Sequence, residues 1–421
     1  MRGCTAGSRF FVVIPATLPG MVAPINTPKG RPKLTISARA VPLANGEPAP
    51  HDGAWKRLIE WEAGTAMTTE SDNIVAETAA RIFADLADPQ TVNKARDDAW
   101  KAKLWRSLAD AGLTLAWVPE NLGGAGANLA DGFAVVAAAG RYALPVPLGE
   151  TLLAGWLLAQ AGIEAPSGAM TVAPARARDH VTLKPDGTLS GTARGIPFAK
   201  DTQHVAVVAS AGRGASVALA KTAECRMNEG RNLAGESSLS VTFDGVKAVA
   251  SAAAPAGFDQ SALMLMGATV RSLQIAGALE TVLAMSVAYA NERVAFERKI
   301  GKFQAVQQNL ARLAGETAAA LVAAGSAADT IASGGILGDA VMLEAAAAKI
   351  RAGEAAAEGA AIAHQVFGAI GFTNEHVLHR FTLRLLGWRD DFGSESHWAA
   401  ALGAMVAARG AQQFWPMLAA R

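Results

Sequence analysis

From Phe258 to the end of the chain, apolar and alanine positions recur at the helical period of about 3.6, interrupted mainly by glycine. The interruptions fall at Gly301, the Gly334-Gly335 pair, Gly368 to Gly371 and Phe392-Gly393. Glycine reaches left-handed backbone angles without strain, so it ends helices readily. The spacing predicts helices at 259–295, 303–333, 338–367, 375–388 and 395–409. Long antiparallel helices with short connections pack as a bundle.

The pattern before Phe258 is of two kinds. Residues 67–165 are helical, with runs at Asn73–Leu86, Ala99–Ala111, Leu129–Arg141 and Leu148–Ala161. Pro145 and Pro147 separate the last two, because proline cannot continue a helix. Residues 166–257 instead read as short strands, among them a hairpin about Pro185-Asp186-Gly187, His204–Ser210, Ala215–Ala220 and Leu239–Phe243. The expected fold is therefore mainly α: an N-terminal helical domain at 67–165, a small central β-domain at 166–257, and a C-terminal helical bundle at 258–421. Residues 1–66 carry prolines without a sustained period, and their first 46 positions hold basic residues and no acid. They read as a disordered extension ahead of a start at Met67.

Lys and Arg total 38 against 37 for Asp and Glu, a balance that asks for neither nucleic acid nor an anionic membrane. Apolar runs such as Leu152–Ala159 are too short to span a bilayer. Two cysteines, Cys4 and Cys225, make no disulfide framework, and a reducing, cytoplasmic compartment is expected. Gly124-Ala125-Gly126 lacks the third glycine of a dinucleotide fingerprint and follows no βαβ pattern. No phosphate-binding P-loop or nucleophile-elbow motif occurs. His376 and His379 lack further ligands at metal-binding spacing, so they read as hydrogen-bonded or solvated histidines and no metal is expected.

Three segments carry a resemblance. The run from Tyr289 to Ala311 contains Glu292-Arg293, Phe296 and Phe303-Gln304-Ala305 followed by Gln307 and Leu310-Ala311. It resembles the signature of the acyl-CoA dehydrogenase family. Gln365-Val-Phe-Gly368-Ala369-Ile-Gly371-Phe372 is similar to that family's glycine-rich segment, and Pro119-Glu120-Asn-Leu-Gly123-Gly124 to its amino-terminal motif. The three lie in the family's order and cover roughly 67–415. The resemblance implies a flavoprotein binding FAD between subunits of a homo-oligomer, or of a hetero-oligomer with a homologous chain. Arg293, Phe296 and Gln304 would come from one subunit, and Gln365, Gly368 and Gly371 from its neighbour. An arginine fork suits a pyrophosphate, and glycine lets backbone approach a ligand. Taken alone, Arg293 would read as part of a surface ion-pair cluster with Glu292, Glu297, Arg298 and Lys299. Glu297 and Ala369 stand where the family has glycine, and Thr171-Val-Ala-Pro replaces a strand whose hydroxyls bond the flavin.

The implied reaction is α,β-dehydrogenation of an acyl-CoA, with electrons passing to an electron-accepting flavoprotein and fatty-acid metabolism as the setting. A carboxylate would take the α-proton. Phe392 occupies the position of the family's glutamate, and residues 261–279, where a second location lies, contain no acid. The candidates for a relocated base are Asp391 first, then Asp390 and Glu395. The alternatives are an exposed ion-pair cluster of Arg389, Asp390 and Asp391, and a non-catalytic subunit that completes the FAD sites and interface of an active partner.

Overall fold

The computed structural model describes residues 74–212 and 214–419. The extension read at 1–66, and the start read at Met67, lie outside the described residues. The first helices are α1 (Ile74–Leu86), α2 (Pro89–Lys94), α3 (Ala99–Asp110), α4 (Leu129–Arg141) and α5 (Leu148–Gln160). Local chemistry sets their starts. Asp88 accepts from the Thr91 amide at 2.9 Å, and Asn128 accepts from the Asp131 amide at 2.8 Å. Helix α5 is buried nearly throughout, including its one acid, Glu150.

Eight strands follow: β1 (Met170–Ala173), β2 (His180–Leu183), β3 (Thr188–Pro197), β4 (His204–Ala211), β5 (Gly214–Lys221), β6 (Arg226–Asn228), β7 (Ser238–Lys247) and β8 (Ala250–Ala253). Their order in one sheet is β6-β7-β3-β2-β4-β5-β8, with β1 pairing in parallel to β4. The β2–β3 hairpin turns where the sequence places it, and Asp186 accepts from the Thr188 amide at 2.9 Å. Strand β1 is buried on both faces and shows no alternation, which is why the sequence pattern does not reveal it. Strands β6 and β8 and helix α2 are too short to carry a period.

The bundle comprises α6 (Gln260–Glu292), a hairpin of β9 (Val294–Ala295) and β10 (Arg298–Lys299), then α7 (Gln304–Gly334), α8 (Asp339–Phe367), α9 (Leu378–Trp388), α10 (Glu395–Arg409) and α11 (Ala411–Ala419). All five helices predicted here agree within three residues; that drawn to 295 ends at Glu292, where the hairpin takes over. Helix α6 is the core of the molecule. It is 33 residues long and holds an 18-residue window of mean hydropathy 1.4, so by length and composition it could cross a membrane, contrary to the reading from short apolar runs. Its apolar window is 67% buried within the protein, which is the behaviour of a core helix. Glycine brings α4 against it: a Cβ on Gly140 would lie 2.3 Å from the Gln274 carbonyl, and one on Gly277 would lie 2.2 Å from that of Ala137. The two backbones touch, and the N-terminal helices are thereby seated on the bundle.

Candidate functional site

The end of α6 builds the first half of the site. Arg293 leaves the helix in extended geometry, its amide still donating to the Tyr289 carbonyl at 2.8 Å. The β9–β10 hairpin then turns at Phe296 and Glu297, both with positive φ, 51° and 63°. Glu297 thus holds the left-handed angle that the family's glycine takes without strain. Phe296 is 90% exposed and stands edge-on to Phe303 at 6.2 Å, while Arg298 stacks over Phe303 at 4.1 Å. Gln304 opens α7 and is exposed. Among the described residues, Glu292, Arg293, Glu297, Arg298 and Lys299 form no ion pair with one another. The surface cluster considered from sequence does not form, and the Arg293 fork is left available.

The second half lies at the same end of the bundle. Phe367, the last residue of α8, stacks on Tyr289 of α6 at 4.4 Å. Gln365 is exposed on the final turn, and Gly368 caps the helix with φ +64° in open space. The backbone angle demands that glycine. Gly371 differs: a Cβ there would sit 3.0 Å from Phe367 Cβ and 3.1 Å from Leu378 Cδ2, so packing within the chain accounts for it. Ala369 is exposed in the turn and its methyl is accommodated. One unpaired guanidinium, two exposed carboxamides and an exposed aromatic ring make a donor set suited to an anionic ligand with a planar part. On the β-domain side, Thr171 is buried and its hydroxyl donates to the Pro197 carbonyl at 2.7 Å, so it is spent inside the sheet.

The candidate base lies in the interior. Asp391 turns inward rather than joining an exposed cluster, and its side chain is only 13% exposed. Arg271 of α6 donates to it through Nε at 3.0 Å, to Glu150 through Nη2 at 2.5 Å, and to Gln274 through Nη1 at 2.5 Å. The Arg271 guanidinium also sits 5.9 Å from the Trp388 ring centroid and 5.8 Å from that of Phe392. Burial pushes the Glu150 and Asp391 carboxyls above the usual carboxylate range, with Arg271 opposing it. Burial also works against the charge on Arg271, but the two carboxylates outweigh it and hold the arginine ionised. Lys349 of α8, fully buried, donates to the carbonyls of Arg389 and Gly393 and so clamps the turn from the other side. Burial lowers its pKa to about 8. The other two candidates are placed elsewhere: Glu395 accepts from Arg389 at 2.6 Å, and Asp390 is exposed.

Phe392 is fully buried and lies against Gly267 of α6: a Cβ on Gly267 would fall 2.3 Å from the Phe392 ring. The two stretches searched from sequence for a base therefore meet, and they meet as a phenylalanine on a glycine. Gly267→Ala should destabilise the fold by about 1–3 kcal/mol through overpacking, measurable by thermal unfolding. Sequence reasoning missed Glu150, Arg271 and Lys349. Charged residues on otherwise apolar helices were the available signal.

A cleft of about 450 Å³ separates the sheet from the bundle, lined among others by His180, Val181, Met264, Leu265, Met342 and Trp398. The Trp398 indole donates to the Phe392 carbonyl at 3.0 Å, so this wall backs onto the Asp391–Gly393 turn. Neither Asp391 nor Arg271 reaches the cleft.

Residues 69–166 match the family model for the acyl-CoA dehydrogenase N-terminal domain, and 257–389 that for the acyl-CoA dehydrogenase C-terminal domain. Acyl-CoA dehydrogenase IpdE2 of Mycobacterium tuberculosis is 30% identical over 325 residues, 76% of this chain and 92% of that protein. Acyl-CoA dehydrogenase FadE27 of the same organism is 30% identical, across 67% of this chain and 82% of its own length. Among solved structures, the ChsE4-ChsE5 complex from Mycobacterium tuberculosis aligns with a TM-score of 0.72 at 24% identity, covering 81% of this chain and 98% of the other. The Tcur3481-Tcur3483 steroid ACAD aligns at 0.70 with 27% identity, covering 80% and 97%.

Proposed function

Because the chain belongs to the acyl-CoA dehydrogenase family, we propose that it is one of two homologous subunits of an FAD-dependent acyl-CoA dehydrogenase, and that the partner carries the base. The observation that carries this reading is Phe392 packed on Gly267, which fills with a ring the place where the two stretches searched for a base meet. The nearest carboxylates, Asp391 and Glu150, are both engaged with the same guanidinium. Relatives solved as two-chain assemblies support it.

The flavin, when bound, accepts hydride from the β-carbon. Arg293 and Gln304 would hold its phosphates by charge-assisted and amide hydrogen bonds, with Phe296 beside them, and the Gln365–Gly371 turn of an adjacent chain would complete the site. Phe392 and Trp398 keep water from the turn behind the cleft. Electrons leave to an electron-accepting flavoprotein. The relative described as a steroid ACAD makes a steroid-derived acyl-CoA the first substrate to try.

A second reading, a self-sufficient dehydrogenase with Asp391 as base, draws on the position of that carboxyl beside Phe392 and on the burial that raises it. Purification alone and with a homologous partner distinguishes the two. The proposal expects a flavin spectrum and acyl-CoA bleaching only in the mixed assembly. It also expects turnover of that assembly to survive Asp391→Asn, which keeps an acceptor for Arg271. Bleaching by the chain alone, with turnover lost by roughly 10²–10⁴-fold in Asp391→Asn, would establish the second reading instead.

A further inference from the structure

We propose that the outward face of helix α7 is a two-fold interface that seats a second copy of this chain, helix against helix and antiparallel. The inner face of α7 belongs to the core: Leu313, Thr317, Ala320, Ala324, Ala327 and Ile331 are buried at steps of four and three. A second seam runs two residues out of step with the first, roughly 200° around the helix. It consists of Ala311, Gly315, Ala318, Val322 and Gly325, and Asp329 ends it. Val322 is 57% exposed. Between Arg312 and Asp329 the helix carries one charged side chain, Glu316, and that one pairs with Arg351 of α8. A surface helix normally turns charge to water, whereas a helix apolar on both sides is normally covered.

The ends of this seam are charged and complementary. Asp329 is exposed and makes no ion pair among the described residues. Arg312 pairs with Glu358 of α8 at 2.9 Å, and its side chain is 59% exposed. A guanidinium has donors enough for a second carboxylate. Arg312 and Asp329 stand about 25 Å apart along one helix, at 1.5 Å per residue, so they cannot meet within a chain. The glycines are a separate observation. Glycine costs helix stability relative to alanine, in which α7 is otherwise rich. At Gly315 and Gly325 packing within the chain gives no reason for it: a Cβ built on either meets nothing within 4 Å. A missing Cβ lets another backbone come close at both points.

The seam also matches itself. Counted outward from Ala320, its members are Ala318 and Val322, then Gly315 and Gly325, then Ala311 and Asp329. Laid antiparallel on a second copy about that centre, Val322 of each chain falls beside Ala318 of the other. Each Gly315 faces a Gly325, and each Arg312 comes beside an Asp329. A parallel pair would instead set Asp329 against Asp329. Self-matching of this kind is what a two-fold contact requires, and it selects a second copy over an unlike protein as the occupant. On the α8 side, the ion pairs Arg312–Glu358 and Arg351–Glu354, at 2.9 and 2.6 Å, give the apolar strip a polar border. The seam begins about two turns beyond Gln304, so the inference goes beyond the flavin reading and does not depend on it.

Native mass spectrometry and sedimentation velocity of the full chain, alone and mixed with its homologous partner, count the copies. Two copies of this chain in one particle are expected at micromolar concentration. Val322→Glu puts an unpaired charge at the centre of the seam and should weaken self-association by roughly 100-fold, with the far-UV circular dichroism unchanged. Asp329→Arg sets cation on cation and should weaken it by about 10-fold. Adding Arg312→Asp should regain most of that loss, since the two side chains meet only between copies. This charge reversal decides the matter should Val322→Glu fail to fold. One copy per particle in the unaltered protein, or a self-association that neither single change weakens, overturns the proposal. So does a particle with one copy of each chain that Val322→Glu splits, which would give the face to the homologous partner. A colourless assembly that still holds two copies counts against the flavin reading and leaves this surface standing.

Discussion

Arg271→Ala should lower the stability of the folded chain by about 3–5 kcal/mol, because it strands two buried carboxylates at once. Glu150 is 1% exposed and Asp391 13%, and both give up their strongest partner with the guanidinium. Gln274 also loses the donor on its Oε1. Removing one member of a buried pair costs far more than the pair contributes, since the remaining charge is left in a poor solvent. The triple change Arg271→Met, Glu150→Gln and Asp391→Asn takes away the charges together and should recover most of the loss. Denaturant unfolding of the single and triple variants measures both. A single-variant effect below about 1 kcal/mol would mean that water reaches the cluster and that its burial does not govern stability.

Arg293→Ala should weaken FAD binding in the assembled protein by roughly 10- to 100-fold, the share of a charge-assisted hydrogen bond at about 1.5–3 kcal/mol, and leave the unfolding temperature unchanged. The side chain is exposed and makes no ion pair with the charged residues around it, so the fold does not depend on it. Arg293→Lys should recover little, because an ammonium cannot present the planar fork to a phosphate. Flavin fluorescence titration against the partner-loaded protein gives the affinity. Unaltered binding in Arg293→Ala would take this residue out of the cofactor site, and a fall in unfolding temperature would assign it to structure.

Much of the architecture could be read along the chain because it is written in local terms. Periodicity gave the bundle helices to within a few residues, and glycine at 301, 334–335 and 368 marked their ends. The hairpin at Asp186-Gly187 was legible from turn chemistry. The short strands β1, β6 and β8 were not, since three or four residues carry too little pattern to announce a strand. The exposed halves of the candidate cofactor site were legible too: Arg293, Phe296, Gln304, Gln365 and Gly368 lie in two segments, each near a helix end, and the structure brings both to one end of the bundle. Gly371 was legible as a glycine but not for its reason, which is the contact with Phe367 and Leu378.

The interior was a different matter. Arg271 meets Glu150 across 121 residues of sequence and Asp391 across 120. Nothing near any of the three residues along the chain announces the others. Helical pattern, breaks and turn residues are short-range properties, so the chain by itself determined where its elements run and which ends carry free donors. Whether Asp391 points to solvent or inward, and whether Phe392 leaves room beside Gly267, was decided by packing between distant helices. Desolvation drives that choice: a carboxylate taken out of water must find its cation wherever the fold has put one.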